Sequence, residues 1–168
     1  MQLKHLSKNN SSKDYYKKYL EDICFESEFI DNVTEISEKI DKETPDSIPF
    51  GALVNGQIVG FFTIELSNPT VNFKEEDFSC WMDSFHIAEI HHGKGYAKDI
   101  LKMLPKILRK EYKYLKLLNL TVNLRNKAAI SLYLKCGFSD TGEIYKGGPA
   151  GPQHIFTKNI NKGNYERD

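Results

Sequence analysis

A glycine-rich segment at residues 91–98 constrains the fold of this chain more than any other feature does. It reads His-His-Gly-Lys-Gly-Tyr-Ala-Lys and joins an apolar run that ends near Ala88 to a longer amphipathic segment. Apolar residues recur there at helical spacing, which predicts a helix over Gly93–Tyr112 with one face in a core. The residues of that face are Ala97, Ile100, Leu101, Leu104, Ile107 and Leu108. The segment thus connects a strand to a helix through a turn of small residues.

A β-hairpin is the clearest element elsewhere. Two apolar, β-branched runs, Phe50–Val54 and Gln57–Ile64, flank Asn55-Gly56, a dipeptide that favours the positive φ angles of a type I′ turn. The pattern predicts further strands over Met1–Leu6, Ser79–Ala88, Leu117–Val122, Thr141–Tyr145 and Gln153–Thr157. Caps and periodicity predict helices that begin after Ser11 and after Asn32, a loop over Ser67–Asp77, and a short helix over Asn126–Cys136 closed by a left-handed Gly137. This order indicates a mixed α/β fold on one sheet.

The charge balance narrows the class of partner. Lys and Arg total 23 and Asp and Glu total 23, so the basic surplus typical of nucleic-acid-binding modules is missing. No apolar run approaches the roughly 20 residues of a membrane span. The segment Met1–His5 has no apolar signal core. We therefore expect a cytoplasmic protein that binds neither nucleic acid nor membrane, with one domain over residues 1–160 and a polar tail over 161–168.

The cysteines indicate neither a disulfide framework nor a metal site. Cys24, Cys80 and Cys136 are odd in number, far apart and in no C-x-x-C pair, which fits a reducing compartment. His91 and His92 are adjacent, and adjacent residues seldom ligate one ion. We therefore expect no metal.

The first turn of the helix after the glycine-rich segment is a candidate anion site. The first amides of a helix have no partner within it, and the helix dipole adds partial positive charge there. Lys94 and Lys98 add two cations. These features favour a phosphate or diphosphate ligand, with a turn that only packs against the protein as the alternative. The sequence contains neither G-x-x-x-x-G-K-[ST] nor a serine-hydrolase G-x-S-x-G, and Lys98 breaks the pattern G-x-G-x-x-G.

Two motifs resemble the GNAT superfamily of acetyl-CoA-dependent N-acetyltransferases. His92–Ala97 resembles the family's Q/R-x-x-G-x-G/A loop, with histidine in place of the first Gln or Arg. Asn126–Phe138 is similar to the family's N-x-x-A-x-x-x-Y-x-x-x-G-F segment, and the resemblance extends over roughly Phe50–Lys158. It implies a GNAT-type α/β (α+β) fold, with a central mixed, mostly antiparallel, twisted sheet and helices on both faces.

The resemblance also implies which residues bind acetyl-CoA. The strand Trp81–Ile87 would splay from its neighbour, and the carbonyl of Phe85 and the amide of Ile87 would bond the pantetheine arm like an added strand. Asn126 would bond the pantetheine or diphosphate region. Main-chain amides would hold the diphosphate, and they belong to His92, Gly93, Lys94, Gly95, Tyr96, Ala97 and Lys98.

The implied reaction is acetyl transfer to a primary amine by direct attack in a ternary complex. Tyr133 would donate a proton to the departing CoA thiolate, a role that a phenol beside sulfur can fill, and an apolar helix position is the alternative. Asp83 and His86 are the candidate bases, and strand alternation predicts that they lie on opposite faces. A water chain, or an amine that loses its proton unaided, is an equal alternative.

The acceptor is the least determined part of this reading. His154 follows a turn-rich loop that borders the acceptor site in the family, so it is a candidate substrate contact, with a surface turn as the alternative. The Trp81-Met82-Asp83 context resembles polyamine acetylases, which favours a small cationic amine. A protein or peptide N-terminus, a non-catalytic CoA-binding module and another phosphate-binding protein are the remaining alternatives. The sequence does not determine the oligomeric state, and a homodimer is one of the alternatives.

Overall fold

Seven strands form one mixed sheet in the part of the chain that the structure describes. This structure, a computed structural model, describes residues 1–6, 46–67, 78–148 and 150–161. Its elements are β1 (Gln2–His5), β2 (Ser47–Val54), β3 (Gln57–Glu65), β4 (Ser79–Ile87), α1 (Tyr96–Glu111), β5 (Leu117–Asn123), α2 (Lys127–Lys135), β6 (Ser139–Tyr145) and β7 (Gln153–Asn159). The strand order is β1-β2-β3-β4-β5-β7-β6, and among these strands only β4 and β5 pair in parallel. The predicted mixed, mostly antiparallel sheet is confirmed.

The predicted β-hairpin is present, with its turn at Asn55 and Gly56. Their φ angles are 51° and 80°, as a type I′ turn requires. Strands β5, β6 and β7 lie where alternation predicts them, each extended by one or two residues. The helices predicted after Ser11 and after Asn32, the loop beyond Ser67 and the tail beyond Asn161 lie outside the described residues.

Helix α1 begins later than the sequence predicts, at Tyr96 and not at Gly93. Gly93 and Gly95 have φ angles of 74° and 79°, which a right-handed helix does not accommodate, so the N-cap is Gly95. The second predicted helix is present as α2, and Gly137 follows it with a φ of 83°, the expected left-handed cap. Neither α1 nor α2 is long and apolar enough to cross a membrane.

One face of the sheet, which we call face A, carries the main hydrophobic core. Leu118, Leu120 and Val122 of β5 alternate onto it, and both α1 and α2 contribute to the same cluster. The side chains that α1 buries completely are Ile100, Leu101, Leu104 and Leu108. Burial of such a side chain contributes roughly 1.5–3 kcal/mol, so the core fixes α1, and with it the turn that precedes α1, against the sheet.

Candidate active site

The parallel strands β4 and β5 pair at their first residues and then diverge. Residues 79–81 of β4 pair with residues 117–119 of β5, and the two strands, both described in full, share no further pairing. Strand β4 stays paired with β3 as far as Ile87, and β5 stays paired with β7 as far as Asn123. A gap therefore opens between the second halves of β4 and β5, which is the splay that the family resemblance implies.

Strand β4 contains a β-bulge where this gap opens. Between the pairs Thr63–Asp83 and Phe61–His86, β4 advances by one residue more than β3 does. Ser84 lies in the bulge with a φ of 53°, and its amide donates to the Asp83 carboxylate at 2.8 Å. A bulge bends a strand and increases its twist, so β4 turns away from β5 here.

The bulge places the two candidate bases on the same face of the sheet. Asp83 is paired with Thr63 and His86 with Phe61, and these two residues of β3, two positions apart, point to one side. The prediction that strand alternation separates Asp83 from His86 is therefore wrong, because the extra residue of the bulge shifts the alternation by one. We call this side, opposite face A, face B.

Asp83 and His86 differ in exposure. The Asp83 side chain is exposed, whereas His86 is 4% exposed and its ring centroid lies 5.9 Å from that of Phe61. Burial lowers the pKa of His86 to about 4, and the Ser84 carbonyl, 3.4 Å from Nδ1, opposes the shift only in part. His86 is thus neutral at physiological pH, and Asp83 is the member of the pair that solvent reaches.

The edge of β4 that faces the gap presents backbone polar groups. The Ala88 amide donates to the Val59 carbonyl of β3 at 3.0 Å, so the amide and carbonyl of Ile87 point to the opposite edge, toward the gap. Phe85, two residues earlier, presents its carbonyl to the same edge by the same alternation. These are the two residues that the resemblance assigns to the pantetheine arm.

The turn between β4 and α1 is open on its outer side. A Cβ on Gly93 or Gly95 would meet none of the described atoms within 4 Å. The glycines are therefore required for the left-handed backbone and not for packing, and the described atoms leave room for a ligand beside the main chain. The Nε2 of His92 donates to the Ile87 carbonyl at 2.8 Å, which fixes the turn to the end of β4.

The start of α1 combines unpaired amides with positive charge. The Asp99 amide donates to the Gly95 carbonyl at 3.1 Å. The amides that precede this first helical bond have no partner within the helix, and they belong to Tyr96, Ala97 and Lys98. Lys94 and Lys98 are exposed. Burial lowers the pKa of His91, and the nearby Lys94 ammonium lowers it further by a smaller amount.

Asn126 has a structural role at the start of α2. Its side-chain oxygen accepts a hydrogen bond from the Ala129 amide at 3.1 Å, which makes it the N-cap of the helix. The side-chain NH₂ group is consequently the part of Asn126 that can donate to a ligand.

The Tyr133 ring is buried on face A between two phenylalanine rings. Its centroid lies 5.7 Å from that of Phe138 and 6.3 Å from that of Phe156. Burial, and to a smaller extent Cys136, raises the pKa of the phenol, so the hydroxyl keeps its proton at physiological pH. The neutral phenol is a hydrogen-bond donor, which is the form that a general acid requires.

His154 lies on face A and not with the candidate bases on face B. It pairs with Val122 of β5, and its ring centroid lies 6.1 Å from that of Phe156. Its Nδ1 is 3.0 Å from a carboxylate oxygen of Asp140. The structure therefore groups His154 with Tyr133.

Two buried polar residues near the site were not among the sequence-based candidates. Asn123, at the end of β5, donates from Nδ2 to the Ala150 carbonyl at 2.9 Å, and this bond ties the β6–β7 loop to the segment that leads into α2. Lys158 of β7 donates from Nζ to the Cys136 carbonyl at the end of α2. Both lie at or next to the last residue of a strand, where the local sequence pattern does not distinguish a buried polar side chain from an exposed one.

No group of three or more His, Cys, Asp or Glu side chains is arranged to hold a metal ion within the described ranges. The candidate groups are the β4 edge that does not pair with β5, the open glycine turn, the buried Tyr133 phenol and the exposed Asp83 carboxylate.

Comparison with known proteins identifies the family of this chain. The profile of the Acetyltransferase (GNAT) family matches residues 7–138 of the chain. This chain is therefore a member of the GNAT acetyltransferase family, and the predicted N-acetyltransferase class is confirmed.

Two relatives and one solved structure illustrate the likeness. The chain is 34% identical over 112 residues to the uncharacterized N-acetyltransferase YbbJ of Bacillus subtilis (strain 168), which covers 66% of this chain and 69% of that protein. It is 35% identical over 96 residues to the spermine/spermidine N(1)-acetyltransferase of the same strain, over 57% of this chain and 62% of that protein. The fold resembles aminoglycoside acetyltransferase AAC(6′)-Ib in complex with coenzyme A, with a TM-score of 0.73, 18% identity and 94% of each chain covered.

Proposed function

We propose that this enzyme transfers an acetyl group from acetyl-CoA to a primary amine of a small cationic molecule, such as a polyamine, in a ternary complex. The observation that carries the proposal is that the gap between β4 and β5 opens beside the open turn at the start of α1. A strand edge that does not pair with its neighbour, next to a turn with the first amides of a helix, fits a ligand with an amide-containing arm and a diphosphate. Acetyl-CoA has both.

The residues proposed to hold acetyl-CoA follow from this arrangement. The Phe85 carbonyl and the Ile87 amide bond the pantetheine arm, and the NH₂ group of Asn126 donates to the arm or to the diphosphate. The main-chain amides of residues 92–98 bind the diphosphate, where the Lys94 and Lys98 side chains add positive charge. The AAC(6′)-Ib structure, which shares the fold, contains coenzyme A.

In the proposed complex the acceptor amine and the leaving sulfur lie on opposite faces of the sheet, and the gap between β4 and β5 connects the two. The amine nitrogen, on face B near Asp83, attacks the thioester carbonyl, and the carbon–sulfur bond breaks on face A near Tyr133. The proton lost by the amine passes to the Asp83 carboxylate, directly or through water. His86 lies on the same face but is buried and neutral, and His154 lies on face A. Asp83 is therefore the group that receives the cationic amine.

Tyr133 stabilises the leaving sulfur as a hydrogen-bond donor in this proposal. A thiol titrates at about 8.5 and a phenol at about 10, and burial raises the pKa of Tyr133 further. The sulfur therefore carries negative charge more readily than this phenol does. A neutral hydroxyl beside the sulfur lowers the energy of the developing thiolate by donating a hydrogen bond, and the released thiolate takes its proton from solvent.

The direct test is release of the CoA thiol with a panel of acceptors that contains spermidine, an aminoglycoside, an amino acid and a peptide with a free N-terminus. We expect the highest kcat/KM with spermidine. Transfer to the peptide alone would overturn the small-amine assignment, and binding of acetyl-CoA without transfer to any acceptor would indicate a non-catalytic module. Absence of binding at millimolar acetyl-CoA would overturn the whole proposal.

The variant Tyr133→Phe tests the role of the phenol. Phenylalanine keeps the ring between Phe138 and Phe156, so folding is preserved while the donor is lost. We expect kcat to fall about 100-fold, the lower end of the loss for one donor to a developing negative charge, with the Kd for acetyl-CoA within twofold of wild type. An equal loss in kcat and in affinity would contradict this role.

A further inference from the structure

We propose that Lys158 is a positioning residue that holds Tyr133 in place against Phe138 and Phe156. The inference rests on the proposed role of Tyr133 in acetyl transfer. Lys158 lies on β7 and is 8% exposed, and its Nζ donates to the Cys136 carbonyl at 2.6 Å. This hydrogen bond joins the sheet to the last turn of α2, the turn that carries Tyr133.

The C-terminal end of α2 favours a hydrogen bond from a lysine ammonium. Cys136 is the C-cap of the helix, and carbonyls at a helix end have no partner within the helix. The helix dipole favours a cation at this end. The Lys158 ammonium also lies 5.5 Å from the Phe138 ring centroid, within the range of a cation–π contact.

Backbone hydrogen bonds connect the Lys158–Cys136 hydrogen bond, which we call the clamp, to Tyr133. The Phe138 amide donates to the Tyr133 carbonyl and the Gly137 amide to the Leu134 carbonyl, both at 3.1 Å, which is the bond pair of a Schellman motif. The amide of Cys136, whose carbonyl Lys158 holds, also donates to the Tyr133 carbonyl, at 3.0 Å. Release of the Cys136 carbonyl therefore loosens the turn from which the Tyr133 ring projects.

Strand β7 contacts Tyr133 through a second residue, Phe156. Phe156 and Lys158 are two residues apart and project to face A, where Phe156 packs against the Tyr133 ring. The same strand thus contacts the ring through Phe156 and fixes the backbone of its helix through Lys158. Burial of the ammonium disfavours its charged form and lowers its pKa, a cost that an apolar side chain would avoid. Core packing alone therefore does not account for a lysine here.

The test is a double-mutant cycle between Lys158→Met and Tyr133→Phe, with Lys135→Met as the matched control. Lys135 is an exposed lysine in the same helix turn, so its loss removes a comparable charge without the clamp. We expect K158M to lower kcat about tenfold in the wild-type background, because small displacements of a catalytic group reduce rates strongly, with the Kd for acetyl-CoA unchanged. In the Y133F background K158M should have no further effect, and K135M should have none in either background.

Each outcome decides the inference. An equal fall in kcat with and without the Tyr133 hydroxyl would show a general structural role and overturn it, as would an unchanged kcat in K158M. If K158M does not fold, Lys158→Gln, which keeps a donor group, enters the same cycle with a smaller expected loss. A wild-type protein that transfers no acetyl group would instead overturn the proposed function itself.

Discussion

Replacement of Gly95 with alanine tests the turn at the start of α1 in a single step. Gly95 has a φ of 79° and a ψ of 1°, a conformation that costs a residue with a Cβ about 1–2 kcal/mol. None of the described atoms lies within 4 Å of the added Cβ, so this backbone strain is the cost to folding. For a chain of this size the strain lowers Tm by roughly 2–8 °C.

Gly95→Ala should weaken acetyl-CoA binding in addition to lowering stability. The added methyl group projects into the open space from which, in the proposed complex, the diphosphate would reach the turn amides. We expect the Kd measured by titration calorimetry to rise at least about tenfold, which corresponds to about 1.4 kcal/mol.

The matched control is Gly142→Ala on edge strand β6, which β5 and β7 separate from β4. Gly142 has a φ of 82° and equally open surroundings, so the strain is the same while the site is remote. The control should lose as much Tm as Gly95→Ala and bind acetyl-CoA as the wild type does. Equal Kd values for the two variants would refute the assignment of this turn to the diphosphate.

Two further predictions concern the candidate bases. Because the pKa of His86 is about 4 in the folded protein and 6.5 in a free side chain, the unfolded state binds more protons between these values. The stabilising contribution of neutral His86 is complete above pH 6.5 and falls by about 3 kcal/mol toward pH 4. Between pH 7 and pH 4.5, the free energy of unfolding measured in urea should therefore fall less for His86→Gln than for the wild type. An equal fall for the two proteins would contradict burial of a neutral ring. Asp83→Asn should lower kcat/KM for a cationic amine about 100-fold at pH 7, with the deficit shrinking toward pH 10 as the amine loses its own proton. A rate unchanged at pH 7 would assign deprotonation to water or to the amine alone.

Local patterns in the sequence predicted those parts of the fold that depend on near neighbours. Asn55-Gly56 specifies its turn through φ angles that few other pairs adopt, and Gly137 ends α2 for the same reason. The glycine-rich turn is predictable as a candidate anion site because its amides and small residues are consecutive in the chain. The start of α1 was misplaced, since helical periodicity continues into residues whose backbone is left-handed.

The arrangement on the two faces depends on contacts that are distant in the chain. The bulge at Ser84 appears only in the register of β4 against β3, so alternation alone assigned Asp83 and His86 to opposite faces. Lys158 meets Cys136 because β7 returns beside α2, a contact that no local pattern encodes. The turns and helix ends therefore follow from local patterns, whereas the faces on which Asp83 and His86 lie follow from the register of the sheet.

Titration of the ¹⁵N-labelled protein with coenzyme A and, separately, with pantetheine tests the central claim most directly. If the amides of residues 92–98 bind the diphosphate, coenzyme A shifts their resonances strongly, and pantetheine, which has no diphosphate, perturbs Ile87 while leaving that turn almost unchanged. Identical shifts with the two ligands, or a coenzyme A response confined to other parts of the chain, would contradict the account.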